Sequence, residues 1–342
     1  MNYENFIKEI KEQVLSYLPE SYEKSNVAIN HVIKNNGIAI DGLSILKPNQ
    51  NICPTIYLND FFIDYEAGAS MPDVLREISE IRMKHDTSAP FDTDFLEDVE
   101  NTRNKIVFRV IGVDANKVML QNCPHVVIND MAYTYHIMFD ATLDGTTSAR
   151  VTNGLLSHLN LDEKSIHQLA LENTPKLLPA AFKSMKDTMR EIMGEEDFSN
   201  MGMFMGFDEG PNLYVLTNLQ KQQGAAALFY PGQMEIIKEK LKSDFYVLPS
   251  SIHEVLITPK IKGISYLELQ EMVQEVNAEG VDADEVLTNK VYFYDGVNKE
   301  LVLAEEYENQ NNVEKKPQSS SIFEKMIKEQ FQVPDNDLGH EM

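Results

Sequence analysis

Residues 211–260, PNLYVLTNLQKQQGAAALFYPGQMEIIKEKLKSDFYVLPSSIHEVLITPK, hold the densest run of local structural signals in the chain. Two short apolar runs, Leu213–Leu216 and Ala225–Tyr230, flank a polar connector. Apolar residues, with β-branched and aromatic members among them, mark both runs as strands of a hairpin. Pro231-Gly232 punctuates the exit from the second run, and Gln233–Leu241 then follows helical spacing. Phe245–Ile257 is the longest strand candidate in the sequence. The stretch therefore predicts a hairpin, a covering helix and a returning strand.

Working outward, the same hairpin-then-helix order appears near 26–85 and near 131–193. Asn26–Asn35 and Gly37–Leu46 read as two strands joined at Asn35-Asn36-Gly37, residues that tolerate a tight turn. Leu58, Phe61, Phe62 and Tyr65 recur at helical spacing, and Gly68 suits the cap that ends such a helix. Ser70 can cap a second helix striped by Val74, Leu75, Ile78 and Ile81. Lys105–Val113 reads as a strand, Met131–Asp140 and Thr147–Thr152 as a hairpin, and Leu161–Glu172 and Ala180–Met193 as helices. An amphipathic helix over 3–18 precedes all of these. A helix over Tyr266–Val276 and a hairpin of Lys290–Tyr294 with Glu300–Ala304 follow.

The three units share neither a period nor a sequence, so this is not a repeat array. The pattern predicts an α+β fold of antiparallel β-hairpins, each followed by covering helices, in mixed sheets. The expected organisation is an α+β region over 1–194, a mobile acidic loop rich in Met and Gly over 195–210, and a second α+β region over 211–304. Residues 305–342, rich in Glu, Gln, Asn and Ser, are expected to form a disordered acidic tail. Within it, Phe323, Ile327 and Phe331 are spaced four apart, as in a short amphipathic helix that docks on a partner.

Charge narrows the function. Acidic side chains number 54 against 30 basic ones, for a net charge of −24. Such a surface repels nucleic-acid phosphate and anionic lipid, which argues against direct DNA binding through a basic patch. An acidic mimic of nucleic acid stays open as an alternative. The two cysteines, Cys53 and Cys123, are too few for a disulfide framework, so a reducing, cytoplasmic compartment is expected. No apolar run reaches the roughly 18 residues of a membrane span.

Candidate chemistry concentrates in Ser250-Ser251-Ile252-His253-Glu254. On an extended strand, Ser251 and His253 share a face and suggest a nucleophile–base pair, with Ser250 and Glu254 on the other face. At regular strand spacing they stand about 7 Å apart, too far for a direct hydrogen bond. The competing reading is a strand edge whose polar side chains face solvent or tie down a neighbouring loop. Cys123-Pro124-His125 reads better as a buried structural cysteine than as a catalytic pair. No HExxH, paired CxxC or phosphate-binding glycine loop is present, so neither a metal nor a cofactor is expected.

The run YVLTN…GAAALFYPG…SDFYVLPSSIHEVLITP, with PTIYLNDFF and LALENTPKL, resembles an uncharacterised family of Firmicutes proteins, domain of unknown function 5688. The resemblance covers about residues 1–305 and carries no reaction. It implies an accessory or interaction role, in a family that is common on mobile elements. It also directs attention to Asn218 and Tyr230 as ligand-binding candidates, beside Pro231, Pro249, Ser250, Ser251, His253 and Glu254. The expected function is a non-enzymatic binding or interaction module with a protein partner, with a Ser/His/Glu hydrolase as the alternative.

Overall fold

The computed structural model describes residues 1–48, 50, 53–86, 98–142, 145–195, 197–198, 212–260 and 265–311. They form two compact units, one over Met1–Asp98 and one from Val99 onward. All strand pairs among them are antiparallel.

The first unit opens with α1 (Tyr3–Gln13), capped by Asn2 and continued by a 3-10 turn over Val14–Tyr17. Strands β1 (Asn26–Ile33) and β2 (Ala39–Leu46) form the expected hairpin, with Asn36 and Gly37 both at positive φ in the turn. A third strand, β3 (Thr55–Tyr57), joins β2, and α2 (Asn59–Glu66) and α3 (Met71–Lys84) follow. Ser70 caps α3 by accepting the Asp73 N–H. Phe6, Ile10, Leu43, Ile45, Leu75 and Ile78 fill the core between helices and sheet.

The second unit carries two sheets. In the first, β4 (Ile106–Gly112) and β5 (His125–Ile128) both pair with β6 (Met131–Thr142), and β7 (Gly145–Arg150) returns along the far end of β6. Short helices α4 (Val99–Arg103), α5 (Lys117–Leu120) and α6 (Asn153–His158) lie before β4, between β4 and β5, and after β7. Then α7 (Glu163–Leu177) packs on β4, its Thr174 hydroxyl accepting the Phe108 N–H at 3.0 Å. The second sheet has the order β13-β12-β10-β11-β9-β8. Its strands are β8 (Ala180–Ser184), β9 (Tyr214–Asn218), β10 (Phe245–Leu248), β11 (Val255–Pro259), β12 (Tyr292–Asp295) and β13 (Glu300–Leu303). Helices α8 (Met185–Met193), α9 (Gln233–Leu241), α10 (Tyr266–Glu279) and α11 (Ala304–Asn311) complete it. Of the three hairpin-and-helix units expected from sequence, the first two form their hairpins in separate sheets, and the first strand of the third, β9, lies in the remaining sheet.

Four expectations are corrected. Ala225–Tyr230 is not a strand: Gly224–Phe229 forms a buried 3-10 helix, because three consecutive alanines offer no branched side chain to a pleated surface. Phe245–Ile257 is two strands, because Pro249 has no N–H to give a central ladder and ends β10 at Leu248. Ala180–Met193 begins as a strand, and its helix starts only after Ser184, whose hydroxyl accepts the Asp187 N–H at 3.1 Å. The expected tail begins as helix: Ala304 is fully buried, and Glu308 accepts the Tyr246 hydroxyl at 2.8 Å. The remainder of that tail lies outside the described residues.

Candidate functional site

Strands β8 and β9 pair in a register that sets Ala181 opposite Thr217 and Lys183 opposite Val215. Helix α8 follows directly and buries Met185 and Met189. The next positions round the helix, Thr188, Glu191 and Ile192, line a cleft with these strand residues. Leu219, Lys221 and Glu254 complete it, and its volume is about 240 Å³. That is below the roughly 300–1,000 Å³ of sites for drug-sized molecules, so the cleft suits something smaller. Lys183 closes one rim by pairing with both oxygens of Glu191, at 2.6 and 2.8 Å.

The loop leaving β9 is shaped by one side chain. Asn218 is fully buried; its Nδ2 donates to the Gln222 carbonyl at 2.7 Å, and its Oδ1 accepts the Gln222 N–H at 3.3 Å. This clasp holds Lys221 and Gln223 in the left-handed region, at φ 55 each, a conformation that costs non-glycine residues on the order of 1 kcal/mol. The result sends Lys221 to the mouth of the cleft. Asn218 is therefore brought to the cleft wall, with its amide committed to the loop.

Residues 249–254 are not a strand. They thread between this loop and the segment 285–288. The Ala225 N–H donates to the Ile252 carbonyl at 3.1 Å, the Thr217 hydroxyl to the His253 carbonyl at 2.8 Å, and the Ile252 N–H to the Glu285 carbonyl at 2.9 Å. The Ser250 carbonyl accepts the Leu287 N–H at 2.8 Å, and Ser251 bridges Val286. Both serines are buried. Ser251 Oγ accepts the backbone N–H of His253 at 3.0 Å. The His253 ring is engaged on both sides: Nδ1 accepts the Gln223 N–H at 3.3 Å, and Nε2 lies 3.1 Å from Glu285 Oε1. Burial opposes charge on that ring, but the Glu285 carboxylate outweighs it and raises the imidazole above its ordinary 6.5. The fold brings Ser251 and His253 close through backbone and sets no serine hydroxyl against the imidazole.

Glu254 differs from its neighbours. It faces the cleft, and among the described residues its carboxyl has no hydrogen-bond partner. Burial raises its pKa above the ordinary 4.5; Glu285 adds to the rise, while His253 and Lys221 oppose it. A carboxyl so placed can accept a hydrogen bond from a ligand or exchange a proton with one.

Other candidates fall elsewhere. Tyr230 is buried away from the cleft lining, its hydroxyl donating to the Leu178 carbonyl at 2.7 Å. The Cys123 thiol is buried, which raises its pKa, and it donates to the Met119 carbonyl at 3.5 Å; His125 Nδ1 lies 3.0 Å from the Cys123 carbonyl rather than beside the sulfur. Phe323, Ile327 and Phe331 lie outside the described residues. Among the described residues, no three His, Cys, Asp or Glu side chains gather as a metal site, and no helix is long and apolar enough to cross a membrane. Lys183, Lys221 and Thr188 escaped the sequence reading, since only the fold of β8 against β9 makes them neighbours.

A model described as a family of unknown function, DUF5688, matches residues 3–296. No curated protein and no solved structure matches the chain.

Proposed function

The chain belongs to the family of unknown function DUF5688, and from that premise we propose that it is a binding module for a small ligand held in the cleft between β8, β9 and α8. The observation that carries this reading is Glu254, an unpartnered carboxyl among Ala181, Val215, Ile192 and Leu219. The polar groups beside it serve the fold: Asn218 holds its loop, Ser251 its own chain, and His253 the segment around Glu285. The ligand class that suits such a cleft has a short apolar body and a hydrogen-bond-donating head, an amine or a hydroxyl. Lys221 at the mouth favours a head that also accepts. The commitment of both His253 ring nitrogens favours binding over a serine-hydrolase role.

The test is thermal denaturation of the full chain against a panel of short aliphatic amines and alcohols. A compound that raises the midpoint of the wild type should bind Glu254→Gln at least about tenfold more weakly, the loss of one charge-assisted hydrogen bond. Hits that stabilise both proteins equally would place binding elsewhere and overturn the assignment.

A further inference from the structure

The sheet of β4 to β7 has one apolar face and one mixed face. Phe108, Tyr133 and Tyr135 are buried on the first, where α7 packs. On the second, the register sets Arg109 of β4 opposite Thr134 of β6, and Arg150 of β7 opposite His136 of β6. The two arginines therefore flank β6 from its two neighbours. Two strand spacings of about 4.8 Å and a two-residue offset along β6 of about 6.8 Å set their backbones about 12 Å apart, a gap two guanidinium side chains can bracket.

Among the described residues no carboxylate pairs with this cationic band: neither Arg109 nor Arg150 has one within ion-pair distance. Arg109 Nη2 donates to two neutral hydroxyls, Ser148 at 2.7 Å and Thr146 at 3.4 Å. Arg150 Nε is buried without an acceptor. His136, 7% exposed, lies 3.2 Å from the Thr134 hydroxyl, and burial together with the two arginines holds its pKa far below the usual value, so the ring is neutral. Burial and the charge on Arg150 push Arg109 down to about 10, so it too stays charged at neutral pH. In a chain with 54 acidic and 30 basic side chains, two neighbouring arginines without a carboxylate call for another source of negative charge. Leaving half-buried charge unneutralised is costly, and planar guanidinium forks match tetrahedral oxyanions.

We infer that the Arg109–Arg150 band binds a small dianionic oxyanion of the phosphate class, as free phosphate or as the head of a phosphate monoester. Two fixed cations match a dianion, and the Ser148 hydroxyl and the Arg150 Nε–H supply further donors, while the Thr146 hydroxyl donates to Gln222 Oε1 at 3.4 Å. The net charge of −24 disfavours a polyanion such as nucleic acid on the same band. The band shares no residue with the cleft at Glu254; Gln222, whose side-chain oxygen accepts the Thr146 N–H at 3.0 Å, stands between them.

The experiment uses the full chain, dialysed free of phosphate, with calorimetric titration and thermal denaturation against inorganic phosphate and against glycerol phosphate. Saturating inorganic phosphate should raise the wild-type midpoint by about 5 °C. Arg109→Met and Arg150→Met should abolish that rise. In phosphate-free buffer both variants should melt at or above the wild type, because each removes an unneutralised charge. Arg109→Lys keeps the charge, and it should fold and bind about tenfold more weakly through loss of the fork. An equal response to glycerol phosphate places a monoester head in the band; a response to inorganic phosphate alone places the free ion there. The inference is overturned if the wild type shows no response to either probe. It is also overturned if the methionine variants respond as the wild type does. Variants that melt lower without phosphate, beside an unresponsive wild type, would show that the chain's own acids neutralise the band.

Discussion

Tyr230 shows how a polar residue can sit at the centre of this fold and serve no ligand. Its ring packs edge-on against Phe108 at 5.9 Å between centroids, and its hydroxyl reaches the Leu178 carbonyl at the end of α7. Removing the hydroxyl leaves a buried carbonyl unpaired. Tyr230→Phe should therefore lower stability by about 1–2 kcal/mol, read from urea denaturation, and leave ligand binding at Glu254 unchanged. Asn218 follows the same logic, since its amide is consumed by the turn it closes. These roles were not legible in the sequence, where a Tyr after an apolar run or an Asn at a strand end looks the same bound to a ligand or to backbone. The Glu254 carboxyl was legible as a candidate only within a cluster. What separates it from Ser251 and His253 is the direction each side chain takes once Pro249 has ended the strand.

At the scale of elements, the 3-10 helix Gly224–Phe229 and the linker 249–254 form one interlocked piece. Gly224 makes the interlock possible. A Cβ there would overlap the Thr217 hydroxyl and lie 2.5 Å from the His253 carbonyl and 2.6 Å from the Asn218 nitrogen. Gly224→Ala should destabilise the protein by about 3 kcal/mol, seen as a lower urea midpoint with an unchanged slope. An unaffected midpoint would mean that the linker packs more loosely than described. The secondary structure of residues 224–229 was not legible. A short apolar run has no period that separates a strand from a buried helix, and tertiary burial decided for the helix. Where capping chemistry and turn residues agreed, as at Ser70 and at Asn36-Gly37, the elements appear as their sequence predicts. β5 and α6 are not among the predicted elements, although Asn129 at positive φ turns the chain after β5 and Thr152 caps α6.

Across the whole molecule, each compact unit has its own core, one around Phe6, Leu43 and Leu75 and one around Leu248, Leu269 and Phe293. The α+β class was legible from alternating hairpin and helix patterns, whereas the grouping of hairpins into separate sheets depends on long-range pairing that no local signal encodes. Global stability also reports on Glu254. Its folded pKa lies above the ordinary 4.5, so between those two values the native state keeps a proton that the unfolded chain has lost. That contribution is full below about 4.5 and is lost as pH rises through the folded value. The most direct measurement is the urea stability of wild type and Glu254→Gln as pH is raised from below 4.5 to neutrality. An uncommitted carboxyl held in a mixed cleft predicts that the wild type loses stability relative to the variant over that range, leaving the variant at least as stable at neutral pH. A variant that becomes progressively less stable than the wild type as pH rises would show that the fold already holds the Glu254 carboxylate, and would contradict its role as the open group of a binding site.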